Sequence, residues 1–268
     1  MTTLSPEREF RAAYGAHRSA EGRALDTASL RELPYLTTGP FARQWAVRAR
    51  TYDAFVAGVL TPLARTKERG LRILDLGAGN GWLSWRVALA GHDAIALDIR
   101  DDDVDGLRAG DGFTVDASSG FERVAGSFES LPLEDTCVDM VVYNASLHYA
   151  LDLGATLREA RRVVRTGGRI VILDSPFYLR AADGEAMVAE KRQDAALRFG
   201  ERAEALMSLP FIEYLTRERL VTASESLGLA WLRHRVRYPL WYELRPFVAA
   251  IRGQRTPSRF DLWECIVP

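Results

Sequence analysis

The sequence predicts a doubly wound α/β fold with a mostly parallel sheet, and three observations carry that expectation. Short apolar strands alternate with helical patterns from residue 71 to 174, the pattern of a parallel sheet covered on both faces. The first strand runs straight into three alternating glycines, Gly77, Gly79 and Gly81, and a helical pattern follows at once. An acid, Asp98, closes the next strand, 23 residues after Asp75.

In chain order, strands are expected at 71–76, 93–98, near 121–125, at 138–143 and at 169–174. The helix before the last of these shows an apolar face at Leu157, Ala160 and Val164, and Gly167-Gly168 is expected to end it. Ahead of the core, residues 1–68 read as a helical cap. Its clearest helix opens at Gly39-Pro40, with proline suited to a first turn, and carries Phe41, Trp45, Tyr52, Phe55, Val59 and Leu60 on one face. Residues 69–268 form the main domain. Within it, 69–175 are the core, 176–227 a helical lid and 228–268 two closing strands. In the first closing strand Leu232, His234, Val236 and Tyr238 alternate with arginines, and the second spans 259–267. The sum is a Rossmann-like, seven-stranded sheet. An insertion just past the fifth strand lies on the ligand side of such a sheet.

The 268 residues, 47% of them hydrophobic, suffice for one sizeable domain with additions. A formal net charge of −1 offers no global field for nucleic acid. The arginines at 233–259 read as solvated faces or as a site for an anionic substrate. Cys137 and Cys265 are the only cysteines, too few for a disulfide framework or a zinc site. No apolar leader opens the chain and no run approaches ~18 apolar residues, so a soluble, cytoplasmic protein without a membrane partner is expected. Asp101-Asp102-Asp103-Val104-Asp105-Gly106 imitates the opening of a calcium loop, but residue 112 is glycine where that loop needs glutamate. No metal is expected.

Glycines at 77, 79 and 81 let a ligand lie against the main chain, and the N–H groups of the following helix face it. Trp82 stands where a dinucleotide fingerprint needs its third glycine, and no Gly-Lys-Ser/Thr follows, so neither the nicotinamide nor the P-loop pattern is met. What remains is Asp-x-Gly-x-Gly-x-Gly beginning at Asp75. Here the chain resembles the class I S-adenosylmethionine-dependent methyltransferases, in particular their small-molecule, type 11-like domains, over about residues 70–175. The resemblance implies S-adenosylmethionine as cofactor. Asp75, Gly77, Gly79, Gly81 and Trp82 would then form the cradle, with Asp98 and Ile99 at the ribose. Gly126-Ser127-Phe128-Glu129-Ser130-Leu131-Pro132 is similar to the family's segment after strand 3. There an acid holds the adenine edge; here Ser127 replaces it, Phe128 is available to wall the ring, and Glu129 keeps its place. The resemblance also puts the Asn144 backbone against the cofactor's amino group.

Among the histidines, His148 at the rim after strand 4 is the candidate general base, with a structural role as the alternative. His234 reads as a satisfied core histidine. His92 lies in a turn, and His17 in a polar run at 14–23 that could cap the pocket. Arg48 sits within the apolar stripe of its helix. It needs either solvent or a carboxylate, such as the cofactor's own. Asp174 and Tyr178 are pocket candidates, and Tyr14, Trp45, Tyr52, Trp82, Phe128 and Tyr149 are aromatics available to a sulfonium cation. The implied activity is methyl transfer by direct displacement to a small-molecule acceptor. The alternative is a protein of this fold that holds the cofactor without methylating.

Overall fold

The structure is a computed structural model that describes residues 25–115, 120–199 and 209–268. His17, Tyr14 and the polar run at 14–23 lie outside the described residues. The elements in order are α1 (Thr27–Glu32), α2 (Ala42–Phe55), a π-helical turn (Val56–Leu60), α3 (Thr61–Ala64), β1 (Arg72–Leu76), α4 (Trp82–Leu89) and β2 (Asp93–Asp98). A 3-10 segment (Leu107–Val115), β3 (Glu122–Ala125), β4 (Val138–Asn144), a 3-10 turn (Leu147–Tyr149), α5 (Leu153–Val163) and β5 (Val164–Leu173) follow. The chain then runs through β6 (Pro176–Phe177), α6 (Ala181–Phe199), α7 (Arg217–Glu225), β7 (Trp231–His234), α8 (Leu240–Glu243), α9 (Arg245–Ile251), β8 (Arg259–Phe260) and β9 (Leu262–Ile266).

Seven strands form one sheet in the order β3-β2-β1-β4-β5-β9-β7. The five from β3 to β5 are parallel, and β9 joins antiparallel to both β5 and β7. β6 and β8 form a separate two-stranded ribbon. The strand order reverses between β1 and β4, so the crevice at their carboxyl ends is where an open α/β sheet takes its ligand.

Period-2 alternation sorts the strand side chains into two layers. Leu74, Leu76, Ile95, Leu97, Val141 and Ile172 face α5 and α7, where Leu157, Ala160 and Leu220 meet them. Ile73, Met140, Val142 and Val171 face α4 and the N-terminal helices, packing on Leu83, Val87, Phe55 and Val59. Each fully buried leucine or isoleucine is worth ~1.5–3 kcal/mol, so the register is strongly specified.

Four local expectations need correction. Pro40 precedes the helix instead of opening it, and Phe41 is the N-cap of α2. The helix before β5 ends at Val163, not at the glycines. Thr136 and Cys137 donate to the carbonyls of Arg162 and Val163, and Val164 turns extended to pair with Val138. That strand partner overrides the helical spacing of Val164. β7 stops at His234, with Leu232 exposed and Val236 and Tyr238 beyond the strand. Tyr238 leaves the sheet to pack on Val47 and Tyr242. The closing segment at 259–267 is two strands, β8 and β9, divided at Asp261.

Candidate active site

The Gly77–Gly81 loop is built by backbone bonds to the neighbouring strand. The Gly77 and Ala78 N–H groups both donate to the Leu97 carbonyl, at 2.8 and 3.1 Å. Gly77 has φ 72°, and a Cβ there would stand 2.4 Å from the Ser146 Cβ and 3.0 Å from the Phe128 ring. Only glycine fits that close approach of the loop to the β4 exit. Ser146 in turn donates to the Leu76 carbonyl, which ties the loop to the next strand of the sheet.

Asp98 takes the Gly79 N–H on one carboxylate oxygen and the Arg100 N–H on the other, each at 2.8 Å. An ionised carboxylate offers about four lone-pair sites, so this one retains capacity for two further donors, a pair of vicinal hydroxyls for example. Burial pushes its pKa up, and the two backbone donors oppose the shift.

Gly77, Gly79, Trp82, Asp98, Ile99, Phe128, Glu129, Asn144, Arg48 and His148 all line one cavity of about 520 Å³. That is within the range of small-molecule sites, ~300–1,000 Å³. Asp174 and Tyr178 line it too. Asp75 and Gly81 stand behind it. Asp75 is buried, accepts from the Ser84 hydroxyl at 3.0 Å, and is pushed up to about 7 chiefly by desolvation. Gly81 has φ 77° at the start of α4 and backs onto Phe121. Both shape the loop from beneath.

Glu129 is held by the protein itself. It accepts from the Ser127 hydroxyl, the Leu151 N–H and the Thr156 hydroxyl, which lashes the loop after β3 to the start of α5. Asn144 contributes its side chain: its amide oxygen accepts from Arg48 at 3.0 Å. Arg48 lies over the rings of Trp45 (4.5 Å) and Trp82 (5.5 Å), and its Nε is 3.4 Å from Asp174. The carboxylate that the stripe arginine needs is therefore Asp174, a protein group. Burial raises Asp174 to about 6 against the opposing pull of Arg48.

His148 lies against Tyr149, ring centroids 4.2 Å apart, and its Nδ1 has no hydrogen-bond partner among the described residues. Desolvation first, then the positive charges of Lys191 and Arg48, lower its pKa to about 3, so the ring is neutral at ordinary pH. His234 meets expectation in being satisfied, through Glu264 at 2.7 Å, although it is only partly buried.

Several lining residues had no signal in the sequence. The insertion after β5 supplies Met187, Lys191, Phe211 and Glu213, and the closing region supplies Ser258 and Phe260. Lys191 pairs with Glu213 at 2.7 Å. The segment from Ile212 to Leu215 is stitched to both strand exits: Ile212 and Glu213 donate to the carbonyls of Ala150 and His148, and Leu215 to that of Pro176. Ala145, Asp174 and Glu213 all line the cavity, and all have positive φ (57°, 53° and 64°) without being glycine. Such backbone strain, ~1–3 kcal/mol each, gathers where structure is held for function.

A family model described as a methyltransferase domain matches residues 74–172. An uncharacterized methyltransferase of Mycobacterium tuberculosis is 37% identical over 99 residues, covering 37% of each chain. A malonyl-[acyl-carrier protein] O-methyltransferase of Methylococcus capsulatus is 31% identical over 181 residues, 61% of this chain and 62% of that one. Among solved structures, the YcgJ protein from Bacillus subtilis superposes with a TM-score of 0.53 at 18% identity, covering 77% of this chain and 97% of that one. The chain thus spans only 37% of the length of the first curated relatives it matches. Sequence match and glycine loop agree on residues 74–172 as a segment similar to methyltransferase domains, and the solved neighbour shares the fold.

Proposed function

We propose that the protein binds S-adenosylmethionine over the Gly77–Gly81 loop and transfers its methyl group to a small-molecule acceptor. One observation carries this reading: the loop, the Asp98 carboxylate with unused acceptor capacity, and His148 share a single cavity at the carboxyl edge of the sheet. When bound, the cofactor supplies an electrophilic methyl carbon on a sulfonium.

The residues of the chain fit that group. Asp98 would accept the ribose hydroxyls, and Phe128 beside Gly77 would wall the adenine in place of the acid that Ser127 lacks. The phenol ring of Tyr149 favours a nearby cation, whereas the Trp45 and Trp82 rings already carry the Arg48 guanidinium. Arg48, braced by Asn144 and Asp174, presents a positive group to a carboxylate. His148 would accept a hydrogen bond from the acceptor's nucleophilic group and aim it. Its low basicity suits orientation more than proton storage. Alignment of this kind contributes up to ~7–11 kcal/mol to a displacement. Met187, Phe211, Lys191 and Glu213 on the far wall suit a compact acceptor with apolar and polar parts. Two relatives, a malonyl-[acyl-carrier protein] O-methyltransferase and a demethylmenaquinone methyltransferase, are named for two different acceptors.

The test is transfer of labelled methyl from S-adenosylmethionine in an acceptor screen, alongside calorimetry of cofactor binding. Asp98→Ala should weaken binding by roughly 10²–10⁴-fold, from two lost hydrogen bonds to a charged group at ~1.5–3 kcal/mol each. Binding with no transfer to any acceptor would favour the non-methylating alternative. Absence of binding would end both readings.

A further inference from the structure

The helix pair α8–α9 carries its large apolar side chains outward. Leu240, Leu244, Phe247, Val248 and Ile251 recur at the spacing of one helical face, and backbone bonds from Leu244 to Leu240 and from Val248 to Leu244 continue that face across the joint. Leu240, Phe247 and Ile251 are 74%, 65% and 71% exposed, and Leu244 and Val248 are exposed as well. The inward face is already satisfied by buried Tyr242 and Ala249. A row of this kind on a soluble surface marks an interaction site. Exposures this high describe a protruding ridge, not a groove that would receive a partner helix.

The charge around the ridge narrows the occupant. Residues 233–259 contain seven arginines and one glutamate. Arg233 and Arg259 pair with Asp261, Arg259 also with Glu243, and Arg255 with Glu190, so the positive charge offered beside the ridge rests on Arg235, Arg237 and Arg252. Arg235 and Arg237 are exposed and lead directly into the ridge, and exposed Arg252 directly follows it. Trp241 sits beside the ridge with the Arg43 guanidinium 4.8 Å from its ring. A second copy packed ridge to ridge would bring these arginines together. An anionic surface would pair with them.

We propose that α8–α9 is an interfacial docking helix that lays Leu240, Phe247 and Ile251 into the surface of an anionic lipid bilayer, with the flanking arginines at headgroup level. Among the described residues no helix is long and apolar enough to cross a membrane, and docking of this kind needs none. The ridge is tied to the cavity wall: Arg245 donates to the Ser258 carbonyl at 2.7 Å, and the Phe260 N–H donates to the Tyr242 hydroxyl at 2.8 Å. Docking therefore holds two lining residues of the cavity close to the lipid.

The test is co-sedimentation of the full chain, without cofactor, with vesicles of equal parts phosphatidylcholine and phosphatidylglycerol, and with vesicles of phosphatidylcholine alone. Binding to the anionic vesicles is expected, weakening as salt is raised. Phe247→Glu with Ile251→Glu should abolish it. Arg235→Ser with Arg237→Ser should lower partitioning about fivefold per arginine, equivalent to ~1 kcal/mol each. Both variants should keep the parent melting temperature and S-adenosylmethionine affinity, so loss of vesicle binding is separable from failure of the methyltransferase reading. Three results would overturn the proposal. One is a parent chain that ignores anionic vesicles, which would leave an acidic protein as occupant. Another is a Glu variant that binds as well as the parent. The third is a dimer in sedimentation velocity that the Glu substitutions dissociate, which would assign the ridge to a second copy.

Discussion

Gly77 and His148 carry the sharpest consequences of single atoms. An alanine at 77 must hold φ near 72° and push its Cβ to 2.4 Å from Ser146. The left-handed backbone costs ~1–2 kcal/mol and the overpacking ~1–3, so Gly77→Ala should lose about 2–5 kcal/mol. In a chain of this size that lowers Tm by roughly 4–20 °C. Adding Ser146→Gly should restore part of the loss by removing the clash while leaving the backbone term, and thermal denaturation of the pair checks this. At His148 the displaced pKa, about 3, keeps the ring neutral from pH 5 upward. The pH profile of kcat/KM should then lack an imidazole limb near 6–7. His148→Gln should lower the rate about 10-fold, one hydrogen bond's worth, with the profile unchanged in shape. A limb at that pH that disappears in His148→Gln would refute the orienting role.

At the scale of elements, α6 and the Leu209–Leu215 segment together make one wall of the cavity, the wall proposed to face the acceptor. Gly184, Met187 and Lys191 lie at i, i+3 and i+7, one face of α6. A Cβ at Gly184 would lie 2.3 Å from the Tyr214 ring, and that ring is buried against Tyr178. Helix propensity favours alanine over glycine by ~1 kcal/mol, and overpacking opposes it by ~1–3. The clash wins because a buried ring and a helix backbone must both give way. Gly184→Ala should therefore lower the urea midpoint, at a net cost of up to about 2 kcal/mol, and should raise the acceptor KM by displacing Met187 and Lys191 while cofactor affinity holds. An unchanged midpoint would mean that α6 is free to shift away from Tyr214.

For the whole molecule, two buried acids set a pH dependence of stability. Burial raises Asp75 to about 7 and Asp174 to about 6, both above the ordinary aspartate value of 3.8. The folded state thus binds more protons than the unfolded one between pH 3.8 and 7. Their contribution is fully present below the unfolded pKa and is lost as pH rises through the folded values. Asp75→Asn removes the titration and keeps an acceptor for Ser84. Its Tm should change less than the parent's between pH 5 and 7.5, and equal slopes would show that Asp75 is not proton-linked to folding.

The glycine loop, the strand ends and the sheet were legible because they are local signals. Alternation places Leu74 and Leu76 on one face and Ile73 on the other, glycines mark the positions where the chain passes closest to its neighbours, and Asp98 falls at a strand end by count alone. These features fix the cofactor-side crevice almost without reference to the rest of the chain. The helix end at Val163 is not legible for the opposite reason: Thr136 and Cys137, in the turn before β4, take its carbonyls, and no local spacing records that. Arg48 shows the same division. Its place in an apolar stripe demanded either solvent or a carboxylate, and the sequence could say no more. Only the tertiary structure sets it against Asn144, 96 residues away, and against Asp174 beyond it. The same cavity is likewise walled by Met187, Lys191, Phe211 and Glu213, brought in by backbone bonds to the exits of β4 and β5. Sequence by itself determined the glycine loop and the strand ends around it, since a backbone turn is written in adjacent residues. The tertiary structure alone decided which side chains close the cavity and with what charge, because burial and ion pairing depend on groups that meet only after the chain has folded.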